Sequence, residues 1–173
     1  IRFFSNIIKK DLKSLVVRDF HGYTQLSSGQ LEPWLLKNNI KRSFKSTPFK
    51  QELSQAKLTV HCVPQTTYME TITANIPTIC FWNPEDNLIR EDLKIYFDAL
   101  IEVGIVHSSP ESASKKVNEV STEPLKWWQS NLVKQAREYF CENVCMTSLD
   151  SINQWSQFIN LVKYLIVSVG IFI

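Results

Sequence analysis

The chain has 173 residues, 44% hydrophobic and 21% charged, with a formal net charge of +2. That length fits one domain or one lobe of a two-lobed enzyme, and so small a charge does not point to nucleic acid. With only four glycines, the sequence argues against glycine-rich phosphate loops and propeller-like repeats.

Residues 1–13 set Phe3, Phe4, Ile7 and Ile8 at helical spacing with lysines opposite, which predicts a helix. The chain enters this pattern directly from Ile1 and reads as part of a longer protein. It shows no apolar core followed by a signal-peptide cleavage site. Residues 14–18 are a short β-branched run, predicted as a buried strand. The run ends in the polar loop Arg18-Asp19-Phe20-His21-Gly22. Ligands of open α/β sheets gather beyond the carboxyl ends of strands, so Arg18 is well placed to meet one. A surface Arg–Asp pair in a turn fits the same residues. From Ser27 the pattern is helical again, with Leu31, Trp34 and Leu35 on one stripe. Residues 41–44 suggest a short strand. Thr47 and Pro48 are expected to cap and start a helix running to about Ala56.

Residues 58–82 are the centre of the chain and read as strand, tight loop, short helix, strand. Pro64 ends the first strand, and the loop delivers Gln65, Thr66 and Thr67 to the helix start. Thr67-Tyr68-Met69-Glu70 matches the capping-box pattern, and Asn75 suits the left-handed position that closes a helix. The crossover implies neighbouring parallel strands. A helix start presents unpaired backbone N–H groups and the positive end of the helix dipole, a natural seat for phosphate. The Thr66 and Thr67 hydroxyls would add hydrogen bonds to a diphosphate, leaving Glu70 to accept from a ribose diol. A capping box that only holds the helix together fits the same residues.

Asn83-Pro84-Glu85-Asp86 is expected to open a long helix to about Val103, with Leu88 and Ile89 on its apolar side. Gly104 closes it, residues 105–107 form a strand, and Ser109-Pro110 caps a helix through about Val120. His107 ends its strand where a polar side chain can face a cleft; His61, mid-strand, reads as a satisfied sheet residue. A last helix is expected over residues 124–142, its Trp127-Trp128 pair packing on the sheet or stacking on a sugar. Strands alternating with helices predict an α/β fold, a Rossmann-like parallel sheet flanked by helices. This lobe would span residues 1–157.

Cys62 and Cys80 fall in strands predicted to be buried. Cys141 and Cys145 lie four apart on one helix face with no nearby His pair, which argues against zinc. The cysteine spacing suits a reducing cytoplasm, and no metal or cofactor is implied. The tail, residues 158–173, carries one charge, Lys163. It is short for a bilayer crossing, which needs about 20 residues. It reads as a docked core segment, a membrane or partner contact, or an abnormal end of the reading frame.

The pieces PFKQELSQAKLTVHC, QTTYMETITANIPTICFW and YFDALIEVGIVHSSPESASKKV, with the Trp127-Trp128 pair, carry a resemblance. In order and spacing they resemble the C-terminal, donor-binding lobe of GT-B glycosyltransferases. More narrowly, they resemble transferases of bacterial surface-carbohydrate biosynthesis, distantly related to capsule Kdo transferases and CDP-glycerol polymerases. The resemblance implies a nucleotide-linked sugar as donor, with Thr66 and Thr67 at the phosphates and Glu70 at the ribose. It leaves Arg18 as an additional anion contact. It also implies a glycan or lipid-linked acceptor and an N-terminal lobe, missing here, that supplies the catalytic base. The expected location is the cytoplasm, or the inner face of the membrane if the tail makes contact. Many such lobes carry glycine where this chain has Gln65, and the tail is unlike the family. Two rivals stay open: a lobe using a CDP-linked polyol donor, and a non-catalytic binding or membrane-associated module.

Overall fold

The computed structural model describes residues 2–8, 13–18, 24–43 and 48–145. In chain order these form α1 (Arg2–Ser5), β1 (Val16–Val17), α2 (Thr24–Lys37), β2 (Lys41–Arg42) and α3 (Phe49–Leu53). Then come β3 (Thr59–His61), α4 (Thr66–Thr73), β4 (Thr78–Phe81), a 3₁₀ turn (Glu91–Leu93) and α5 (Lys94–Glu102). The last are β5 (Val106–His107), α6 (Pro110–Val120), α7 (Pro124–Trp128), α8 (Asn131–Phe140) and a π-helical turn (Cys141–Cys145). β1 and β2 pair in parallel, and β3, β4 and β5 form a second parallel sheet in that order. Two small parallel sheets flanked by helices make this the expected Rossmann-like α/β fold.

Three helices pass into strands by one device. Each ends on a residue with positive φ: Asn39 at 53°, Asn75 at 60° and Gly104 at 76°. Each is followed by an isoleucine whose amide reaches back to the carbonyl five residues earlier, as Ile40 does to Leu35, Ile76 to Thr71 and Ile105 to Leu100. This is the Schellman closure, which satisfies carbonyls that the helix end leaves over. At Gly104 a Cβ would lie 3.1 Å from Cε of the flexible Lys116 side chain, so it is the positive φ that favours glycine there.

The alternation of side chains along β4 organises the core. Cys80 belongs to one apolar cluster with Tyr68, Ile72, Phe97, Leu100, Trp128 and Phe140. Ile79 belongs to the other, with Phe3, Ile7, Ala113, Val117 and Val120. Helices α4, α5 and α8 therefore cover one face of the sheet, and α1 and α6 the other. Ser109 caps α6 by accepting from the Ser112 amide at 3.2 Å, and Pro110 takes the first turn.

Several expectations need correction. The first helix stops at Ser5, and residues 9–12 of its expected span lie outside the described residues. The strand at β1 is not buried, since Val16 is 52% exposed. Pro48 is itself the cap residue of α3, with ψ 137°, because its extended backbone precedes the first helical turn, and the helix ends at Leu53. Thr47 and Phe44 lie outside the described residues, as do residues 19–22 and the apolar tail. Cys62 lies beyond β3 and is exposed.

The two long helices are each broken. Asn83 folds its side chain onto its own turn, accepting from the Glu85 amide at 3.2 Å and donating to Asp86 at 2.9 Å. Such local bonding competes with helix formation, so helical turns start only at Glu91 and Leu88 stays 90% exposed. Further on, Ser130 is extended (φ −62°, ψ 146°) and separates α7 from α8.

Candidate functional site

The carboxyl end of β3 turns at Pro64, and Gln65 holds the extended conformation (φ −101°, ψ 172°) that serves as N-cap of α4. Thr66 is therefore already the first helical residue and Thr67 the second. A residue inside the helix cannot cap it, so the expected capping box from Thr67 to Glu70 does not form. The Gln65 side chain makes no capping hydrogen bond. By helix geometry its first amides lack partners within the helix.

A groove of about 1410 Å³ runs along the outer side of α4. Thr66, Met69, Glu70 and Thr73 line it, one helical face at i, i+3, i+4 and i+7. Phe49, Lys50 and Leu53 of α3, with Lys57, line it as well. So do residues 122–126 and Val144 with Cys145. Of the expected site residues, the structure brings Thr66 and Glu70 together here, both exposed. Gln65 and Thr67 stand at the same helix start but do not line the groove.

Arg18 and His107 lie elsewhere. Arg18 ion-pairs with Glu52 at 2.6 Å and sits over the ring of Phe49 at 5.5 Å, behind one groove wall. Desolvation alone raises the Glu52 carboxyl; hydrogen bonds from Ser43 and Arg18 and the guanidinium charge outweigh it and hold the carboxyl below its ordinary value. His107 donates from Nε2 to the Gly104 carbonyl at 3.0 Å. Burial, opposed by that hydrogen bond and aided by Lys116, keeps its imidazole below the ordinary value. Among the described residues, no three or more His, Cys, Asp or Glu side chains gather as a metal site would require.

Two lysines complete the groove's chemistry without having stood out in the sequence. Lys50 and Lys57 both line it, and among the described residues neither has an ion-pair partner. Lys126, also on the wall, pairs with Glu123 at 3.3 Å. Both lie in the stretch PFKQELSQAKLTVHC that carries the resemblance, Lys50 on α3 and Lys57 just before β3. Nothing in their spacing ties them to Glu70.

His61 is satisfied within the fold. The Thr71 hydroxyl donates to the Tyr68 carbonyl at 2.9 Å, so it accepts from His61 Nε2, 3.1 Å away. That fixes the neutral ring with its proton on Nε2. Burial pulls the imidazole down from 6.5 to about 4. The unfolded chain therefore binds an extra proton between those values. Stability is full above the unfolded value and falls as pH drops toward the folded one, by on the order of 2–3 kcal/mol. His61→Gln keeps a donor toward Thr71 and removes the titration. Its urea midpoint is expected to fall less than wild type's between neutrality and pH 4. Equal losses in both proteins would assign the acid sensitivity to other groups, with His107 the first to test.

The fold and groove define a class: a Rossmann-like parallel α/β fold with an open groove beside the helix that follows β3. Within that class, residues 1–159 match a family described as LIC12162 family transferase, and the chain belongs to this transferase family. No curated protein and no solved structure matches it. Among the described residues no helix is long and apolar enough to cross a membrane.

Proposed function

We propose that this chain is the donor-binding lobe of a GT-B-like glycosyltransferase that uses a nucleotide-linked sugar in bacterial surface polysaccharide assembly. One observation carries the reading. Thr66 and Glu70, one turn apart on a helix that follows the carboxyl end of β3 and whose cap residue makes no side-chain bond, line the same groove as Lys50 and Lys57. Membership of a transferase family supports it. The donor diphosphate sits at the start of α4, taking hydrogen bonds from the Thr66 hydroxyl and the first-turn amides, that of Thr67 included. Glu70 accepts from the ribose hydroxyls, and Lys50 and Lys57 offset the diphosphate charge. As the sugar leaves, charge grows on the diphosphate, and amides and hydroxyls already aimed at it stabilise that charge. A base from another lobe activates the acceptor hydroxyl of a glycan or lipid-linked acceptor. The reaction takes place in the cytoplasm, and at the inner face of the membrane if the tail makes contact there.

Calorimetric titration with CMP, CDP, UDP, GDP and dTDP tests this. One nucleotide is expected to saturate, with Thr66→Val and Glu70→Gln each weakening it about tenfold, as loss of one hydrogen bond predicts. Both residues are exposed, so melting should be unchanged. Binding of cytidine nucleotides and of CDP-glycerol, but not of nucleotide sugars, would select the polyol donor. No binding by the folded protein would overturn the reading in favour of a non-catalytic module.

A further inference from the structure

The groove changes character along α4. Thr66 and Glu70 line it near the helix start, and Thr73 follows on the same face. At a rise of 1.5 Å per residue, Glu70 lies about 6 Å and Thr73 about 10 Å beyond Thr66 along the axis. Past Thr73 the lining turns apolar, with Ile76 and Pro77. Helix α7 stands at this same end, because Trp128 donates from Nε1 to Asn75 Oδ1 at 2.9 Å. One turn before Trp128, Leu125 lines the groove and is 56% exposed. A large apolar side chain open to water on a groove wall gains by being covered. The two charges beside it, Glu123 and Lys126, pair with each other at 3.3 Å, so this wall presents no net charge to a ligand.

We propose that this end of the groove is the slot for the donor's base, with Leu125 covering a face of the ring and Thr73 reading its polar edge. The inference rests on the nucleotide reading above and gives the donor a direction. Phosphate, ribose and base follow one another along a nucleotide. With the diphosphate at Thr66 and the ribose at Glu70, the base falls one step further along the same helix face, beside Thr73. The sugar hangs from the other side of the diphosphate. It therefore projects past the start of α4, off the carboxyl end of β3, where an acceptor held by another lobe meets it.

The chemistry of a base suits the lining. Its ring is flat and uncharged, with apolar faces and a rim of donors and acceptors. Leu125 supplies apolar surface for a face of the ring. Thr73 is exposed on the groove side of α4, and its hydroxyl both donates and accepts. Leu125 therefore contributes to every base alike, whereas Thr73 separates one base from another, since an edge atom left without its partner loses binding.

The test compares nucleoside diphosphates with inorganic pyrophosphate, which carries no base, by calorimetry on the full chain. Leu125→Ser should weaken every nucleoside diphosphate about tenfold and leave pyrophosphate unchanged. Thr73→Val should shrink the preference for the best nucleotide over the next by about fivefold or more, again with pyrophosphate unchanged. Both positions are exposed, so melting temperatures should stay near wild type. Two results would overturn the slot and leave the donor reading standing. In one, nucleotides bind and depend on Thr66 and Glu70, yet neither new variant alters their affinity or order. In the other, Leu125→Ser weakens pyrophosphate as much as nucleotides, which makes its effect structural. A folded chain that binds no nucleotide overturns both readings together.

Discussion

Phe140→Ala is expected to lower the stability of the folded chain by about 3–5 kcal/mol, the range for removing a fully buried phenylalanine. Phe140 has no exposed surface and stands between two other rings of the main cluster. Phe97 meets it edge-on, centroids 5.1 Å apart and planes at 80°, and Tyr68 lies 6.4 Å away. The ring thereby ties α8 to both α4 and α5. Truncation removes the ring's burial and leaves a cavity whose lining comes from three separate helices, so the site cannot easily collapse. Domains of this size are typically stable by about 5–15 kcal/mol, so the change takes a large share of the total. Urea unfolding should show a lower midpoint with an unchanged slope. Phe140→Leu, which refills most of the volume, should lose far less. A loss for Phe140→Ala no greater than for Phe140→Leu would mean that α8 is loosely docked.

Asn75→Ala is the second large effect, expected at about 2–4 kcal/mol from two separable causes. Asn75 holds φ 60°, a conformation that costs a residue with an ordinary side chain about 1–2 kcal/mol. Its Oδ1 also accepts from Trp128 Nε1 at 2.9 Å and from the Arg137 guanidinium. Trp128 and Arg137 are both buried and stack, with the guanidinium 4.6 Å from the ring centroid. Removing the acceptor leaves their donors without a partner, and Arg137 Nε already has none. Asn75→Gly separates the causes, because it restores the backbone freedom without the acceptor. Asn75→Gly should therefore fall between wild type and alanine in chemical unfolding. If glycine matched wild type, the side-chain acceptor would contribute nothing.

The same residues show what could be read from the sequence. Asn75, Gly104 and the Ser109-Pro110 pair were legible because their meaning is local: a positive φ, or a hydroxyl facing the next turn, is decided within a few residues. The order of strands and helices was legible for a similar reason. Leu88 misled because its spacing suits a helix, yet Asn83 bonds its own turn and removes the start of that helix. The break at Ser130 was hidden because Trp128 and Phe140 bury toward the same cluster on either side of it, so the apolar pattern runs through. Thr67 misled by two residues: Gln65 already occupies the cap. Of the groove lining, Thr66 and Glu70 were singled out in the sequence, Thr66 as one of two adjacent hydroxyls at a helix start and Glu70 through the capping-box pattern. Lys50, Lys57 and Cys145 were not, since only the folding of distant segments brings them to one groove.

The position of β4 has a consequence for how the molecule comes apart. Its neighbours Ile79 and Cys80 are each wholly buried, on opposite sides, so the two apolar clusters share one strand as their common wall. Neither can be exposed to water without stripping a face of that strand, which weakens the other. The sheet and its two helical layers are thus a single cooperative unit, and heat or denaturant should find one transition there rather than two.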